Sequence, residues 1–298
     1  MIFIVSLHIN LKSQMTRVQK LSIFLMKLKL RIASSISHRW GARLAFTIFS
    51  TPFRKPRPVA PPIFESANEF IIKVNGLKIA GYRWNHESNK KVLIVHGFES
   101  RAYNFYRYVS PLIEQGYAVY AMDAKAHGKS QGKTIILPEY VEMMNCLQKT
   151  YGIFGTFISH SFGGIATCLF HESIGNPDTK LVLIAPATET TSAVSRFAKF
   201  FSLKDKTTHA IYELIKERSG NSVSYYSLKR IAPLLQNPIL WIHDKDDNIT
   251  PLEDVEPVIS MNLPNVQFMI TEGLGHRQIY KENKVVERVV DFIVKQGN

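Results

Sequence analysis

TFISHSFGGIATCLF, residues 156–170, changes its hydrophobic period halfway along. Thr156, Phe157 and Ile158 are β-branched or aromatic and follow Gly155, which predicts a short strand. Ile165, Cys168 and Leu169 stand at i, i+3 and i+4, which is helical spacing. Ser161 is therefore expected on a tight turn from strand to helix. Small residues at Ser159 and Gly163 let the neighbouring backbone pass that turn, and the helix start aims the Phe162 N–H toward any negative charge developing beside the hydroxyl.

The same alternation continues on both sides. FIIKVNGLKIAGYRW reads as two strands joined at Asn75-Gly76, a strong hairpin signal. KVLIVHG, YAVYAMDA, KLVLIAP, NPILWIHD and VQFMIT read as further strands, several of them continuous apolar runs suited to the middle of a parallel sheet. Helices are expected around Asn104–Gln115, in PEYVEMMNCLQKTY, near Leu252–Ile259 and in KVVERVVDFIVKQ. Strands alternating with helices predict an α/β fold, a mostly parallel central sheet flanked by helices. Residues 187–236 break the alternation with helical pieces alone and are expected to cap the sheet edge.

In an open parallel sheet functional groups gather at the carboxyl ends of the strands. The residues that follow the strands here are His96-Gly97-Phe98, then Asp123 and His127, Ser161, the acids Asp244, Asp246 and Asp247, and His276. A serine, an acid and a histidine are thus expected on one edge, in that chain order. A serine hydroxyl is a poor nucleophile near neutral pH; it needs a base to take its proton, and the base needs an anion to fix its tautomer. His96 and His127 are read as structural, and the His160 side chain is expected to point away from the site. No cluster has zinc-ligand spacing, and HGFES has too few glycines for a phosphate loop, so neither a metal nor a cofactor is expected.

With these residues in place, the chain resembles the α/β-hydrolase superfamily over roughly residues 68–298. The turn resembles that family's Gly-x-Ser-x-Gly elbow, with Ser159 in the place of the first glycine. HGF at 96–98 resembles its oxyanion loop, DAKAHGKS at 123–130 the Asp-x-Arg-Gly-His-Gly-x-Ser stretch of the monoacylglycerol-lipase and lysophospholipase-like branch, departing at Lys125 and Ala126. HDKDDNITP at 243–251 resembles the acid loop and aligns Asp247 with the acid; GLGH at 273–276 resembles the terminal histidine loop. The resemblance implies a serine hydrolase of carboxylic esters, with Ser161, Asp247 and His276 as the triad and the Phe98 and Phe162 N–H groups as the oxyanion hole. It implies a small-molecule or lipid ester as substrate. A peptidase or acyltransferase could use the same triad, and a non-catalytic homologue would usually lack one of its members. Phe197, Phe200 and Phe201 are expected either to line an apolar pocket under the cap or to pack its core.

The 298 residues carry a net charge of +13, unevenly spread. From Met1 to Pro58 there are eleven Lys or Arg and no acid, whereas residues 59–298 hold 26 basic against 24 acidic residues. A nearly neutral body argues against a nucleic-acid partner. The basic segment, 1–58, is expected to be a helical extension joined by the Pro-rich stretch 59–67 to the domain at 68–298. Residues 1–9, MIFIVSLHI, are too short to span a bilayer. Val18, Leu21, Leu25, Leu28, Ile32 and Ile36 then form one helical stripe, with most lysines off it, and HRWGARLAFTIF reads as a second helix. Such a helix either lies on an anionic membrane surface or docks on the body. A chain beginning near Pro58 is expected to stay folded, because no triad residue precedes it. Cys146 and Cys168 fall in apolar helical patterns and are read as free thiols, which fits a cytoplasmic setting, peripheral to the inner membrane face if the helix binds lipid.

Overall fold

Eight strands form one sheet in the computed structural model, which describes residues 17–53 and 59–295. They are β1 (Asn68–Val74), β2 (Leu77–Trp84), β3 (Lys91–Val95), β4 (Ala118–Met122), β5 (Thr156–His160), β6 (Lys180–Ile184), β7 (Ile239–Asp244) and β8 (Val266–Thr271). Their spatial order is β1-β2-β4-β3-β5-β6-β7-β8. β1 and β2 pair antiparallel through the Asn75-Gly76 turn, β2 pairs antiparallel with β4, and every later pairing is parallel. β4, β5 and β7 are buried along their whole length, as expected for apolar runs covered on both faces.

The longer helices are α1 (Arg17–Ile36), α2 (His38–Ser50), α3 (Val109–Glu114), α4 (Leu137–Tyr151), α5 (Phe162–Ile174), α6 (Thr190–Phe201), α7 (Asp205–Ser219) and α8 (Asn283–Val294). The single helix expected at Asn104–Gln115 is instead a 3₁₀ stretch, Ala102–Tyr108, running into α3. Pro111 has no N–H to bond the Arg107 carbonyl, so regular helix begins only at Val109. Two apolar clusters cover the sheet. Leu93, Val95, Tyr120 and Phe157 face α4, α5 and the cap helices, while Val92, Ile94, Val119 and Ile158 face α3 and α8. Between β6 and β7 lie α6, α7 and short helical turns, tied by one isolated bridge between Glu189 and Ser227.

The basic N-terminal segment is helical, but it is not a separable appendage. Leu30, Ala42 and Ala45 are fully buried members of the larger core cluster, and Ile23, Met26, Leu44, Phe46 and Phe49 pack against it. A Cβ on Gly41 would stand 2.3 Å from Ser34 Oγ and 2.8 Å from Ser34 Cα, so glycine lets the α1–α2 hairpin close. α2 meets α7 through His38 and Thr207, 3.2 Å apart, and through an Arg39–Glu217 ion pair of 3.0 Å. Removing everything before Pro58 would uncover this apolar contact. The connector residues 54–58 and the apolar run 1–9 lie outside the described residues.

Candidate active site

Ser161 sits where β5 stops and α5 starts, with φ 52° and ψ −120°. A non-glycine residue at positive φ is strained, and such strain persists only where the surroundings over-determine it. Here they do. A Cβ on Gly163 would lie 2.5 Å from the Val95 carbonyl oxygen and 2.6 Å from that of His96, and one on Gly97 would lie 2.9 Å from Ser161 Cβ. Glycine at both positions lets the end of β3 close against the turn. Ser159, in the place of the first motif glycine, is buried and donates to the Val182 carbonyl at 3.0 Å.

The three residues singled out in sequence meet. The Ser161 hydroxyl stands 2.9 Å from His276 Nε2, and His276 Nδ1 stands 2.7 Å from Asp247 Oδ2. All three are buried. Asp247 Oδ1 accepts the N–H groups of Ile249 and Thr250, both at 2.9 Å, and Oδ2 also accepts the Thr250 hydroxyl at 2.8 Å. Burial pushes this carboxyl up, but His276 beside it and the hydrogen bonds outweigh burial and hold it at about 2. It is therefore an anion poised to receive the Nδ1–H, which leaves Nε2 free to accept the serine proton.

The other two acids do different work. Asp244 accepts the N–H groups of Asp246, Leu274 and Gly275 and the Thr271 hydroxyl, at 3.0, 3.1, 2.8 and 2.7 Å, so it holds the histidine loop from beneath. Asp246 accepts the Gly273 N–H at 2.8 Å from the solvent side.

His96 and His127 pin the loop after β3. His96 accepts the Ala124 N–H at 2.9 Å through Nε2 and donates to the Gly97 carbonyl through Nδ1 at 2.7 Å. His127 accepts the Glu99 N–H at 3.0 Å and donates to the Lys125 carbonyl at 2.9 Å. Burial drives their imidazoles down to about 4 and about 3, so both stay neutral and can keep these roles. Phe98, on that loop, and Phe162, first residue of α5, meet edge to face with ring centroids 5.8 Å apart.

Sequence reading missed two supports. The His160 side chain does not point away: it donates to the His276 carbonyl at 3.0 Å, and the two rings lie 4.6 Å apart. Burial keeps its pKa well below the ordinary value, so no second cation sits behind His276. Thr250 bonds Asp247 and also stands 3.2 Å from His276 Nδ1. The DDNITP spacing was the one available signal for it.

An apolar pocket opens beside Phe98, Phe162 and Thr250, walled by Leu137, Ile165 and Tyr226 and, from the N-terminal helices, by Phe46 and Phe49. Phe197, Phe200 and Phe201 take the core-packing alternative instead: they are buried and absent from this wall. Among the described residues no three His, Cys, Asp or Glu side chains converge as a metal site.

This sheet order, with a strand-turn-helix elbow after β5, is the α/β-hydrolase fold. The family model described as serine aminopeptidase, S33, matches residues 86–230. The chain is 23% identical over 245 residues to the uncharacterized protein YqkD of Bacillus subtilis, covering 74% of this chain and 78% of that one. It is 24% identical over 132 residues to a monoacylglycerol lipase of Mycolicibacterium smegmatis, 41% of this chain and 47% of that one. Among solved structures, an esterase of Pyrococcus furiosus superposes with a TM-score of 0.62 at 22% identity, covering 81% of this chain and 98% of that one.

Proposed function

We propose that the protein hydrolyses carboxylic esters through an acyl-enzyme formed on Ser161, with His276 as general base and Asp247 as its orienting anion. The observation that carries this reading is the unbroken relay from hydroxyl to imidazole to carboxylate, 2.9 and then 2.7 Å. His276 Nε2 takes the serine proton as Oγ attacks the acyl carbon. The Phe98 and Phe162 N–H groups hold the oxyanion; one such donor typically contributes about 3–4 kcal/mol to the transition state. The imidazolium then gives its proton to the leaving alcohol, and water repeats the cycle on the acyl-enzyme. The apolar wall suits an acyl or alkyl chain, in keeping with the esterase and monoacylglycerol lipase among similar proteins.

The family model's description favours a second reading, an aminopeptidase. That activity needs an anion for the substrate's ammonium, and Glu189 is the acid in the pocket wall. Its carboxyl already accepts the Ser227 hydroxyl at 2.6 Å, and burial raises its pKa, disfavouring the anion. An ester is the better match. Rates on p-nitrophenyl esters and on amino-acyl p-nitroanilides separate the two: ester turnover that vanishes in Ser161→Ala supports the proposal, and anilide turnover alone refutes it.

A further inference from the structure

α1 is apolar on two faces, and the fold uses only one. Ile23, Met26, Leu30 and Ala33 turn toward α2 and the cap, while Val18, Leu21, Phe24, Leu25, Leu28, Ile32 and Ile36 stand 42–73% exposed. At 3.6 residues per turn these seven make one continuous stripe along the outside of the helix, and Trp40, half exposed, extends it past the hairpin. The remaining exposed large apolar side chains of the described residues are scattered. Single exposed apolar residues are ordinary, whereas a contiguous stripe marks an interaction surface.

Its flanks are cationic. The same helical period puts Lys20 and Arg31 along one edge of the stripe and Lys29 along the other, with Arg17 at the stripe's N-terminal end, all exposed. Lys27 lies over the Phe200 ring at 4.5 Å and Arg39 pairs with Glu217, so those two are engaged with the cap. No acid occurs before Glu65 to neutralise the rest. Among the described residues no helix is long and apolar enough to cross a bilayer. An apolar stripe bordered on both edges by cations fits one kind of partner, a surface whose outer layer is anionic and whose interior is hydrocarbon.

We propose that the outer face of α1 seats the protein on an anionic phospholipid surface. α1 rests on α2, and α2 supplies Phe46 and Phe49 to the pocket wall, so the lipid-facing stripe is one helix layer from the pocket. Given the ester-hydrolase reading above, on which this last step rests, the substrate is a long-chain ester taken from that surface rather than from bulk water.

The test is co-sedimentation of the full chain with vesicles of phosphatidylglycerol and phosphatidylcholine, against phosphatidylcholine alone, at low and high salt. Binding is expected on the anionic vesicles, weakening with salt without vanishing because the apolar stripe is not screened. Lys20→Glu with Lys29→Glu should weaken it by about fivefold or more per charge. Leu25→Glu with Leu28→Glu should abolish it. Both pairs are exposed, so hydrolysis of a soluble short-chain ester should be unchanged, while hydrolysis of a long-chain ester held in the vesicles should fall. Equal sedimentation with and without anionic lipid, or full binding by Leu25→Glu/Leu28→Glu, overturns the proposal. So does a dimer in solution that splits in that variant, which assigns the stripe to a second copy of the chain. Vesicle binding without turnover of any ester supports the docking face and refutes the hydrolase reading instead.

Discussion

Phe49, in the second N-terminal helix, meets Phe197 of the cap ring edge to face, with centroids 5.4 Å apart. This contact joins the basic N-terminal segment to the element that roofs the pocket, and Phe49 is also part of the pocket wall. An aromatic pair of this kind contributes about 0.5–1.5 kcal/mol beyond the area it covers. Phe49→Ala should therefore shift chain-length preference: kcat/KM for long acyl esters changes by about tenfold, on the scale of that contribution, while acetate esters are little affected. A p-nitrophenyl ester series from C2 to C12 reads this directly, and a uniform change at all lengths would show that Phe49 does not shape the acyl site.

The three acids of the β7 loop should separate cleanly. Asp247→Asn keeps the shape but lets the imidazole adopt the wrong tautomer, with a loss in kcat on the order of 10⁴-fold. Asp246→Asn should do little, because an amide oxygen can still accept the Gly273 N–H. Steady-state kinetics on one soluble ester decide the matter; a reversed order would make Asp246 the partner of the base.

Gly163→Ala tests the close approach at the elbow. The new Cβ would sit 2.5 Å from the Val95 carbonyl oxygen, which is backbone and can yield only by moving β3 and the loop that carries Phe98. Misplacement of about 1 Å can cost about 10²-fold in rate, so a fall in kcat of that order is expected with far-ultraviolet circular dichroism intact. Unaltered kcat would mean that the loop position is not critical.

Stability should fall with acid well before the carboxylates titrate. His96 and His127 are neutral in the fold down to about pH 4 and about pH 3, because burial disfavours their charged forms, whereas in the unfolded chain they take up protons near 6.5. Between pH 6.5 and about 4 the unfolded state binds more protons, so stability is full above that window and is lost as pH falls through it. Urea unfolding from pH 7.5 to 4.5 should show a declining midpoint with a slope of more than one proton; a flat midpoint would contradict the buried neutral imidazoles.

Much of the site was legible because each principal residue lies at, or within five residues of, the carboxyl end of a strand. Ser161, His276 and the Asp244–Asp247 loop are all set by local sequence, strand end by strand end, and so is the Phe162 N–H. What could not be read depends on contacts between distant segments. The His160 side chain was expected to point away from the site, because its bond to the His276 carbonyl exists only once the last loop folds against β5. The phenylalanines of the cap and those of α2 have equally good apolar spacing, and only packing decides that Phe46 and Phe49 face the cavity while Phe197 faces the core. For α1 the stripe was visible, yet periodicity cannot say which of two apolar faces a helix buries. The fold buries Leu30 and Ala33 and leaves Leu25 and Ile32 outside.

The central claim is that Ser161 is a nucleophile activated through His276. Fluorophosphonate labelling followed by peptide mapping tests it without knowledge of the substrate. The account predicts one phosphonylated peptide, carrying Ser161, formed rapidly in the native chain, far more slowly in His276→Ala and not at all in Ser161→Ala. Failure of the native protein to label, or an adduct elsewhere that survives Ser161→Ala, would contradict it.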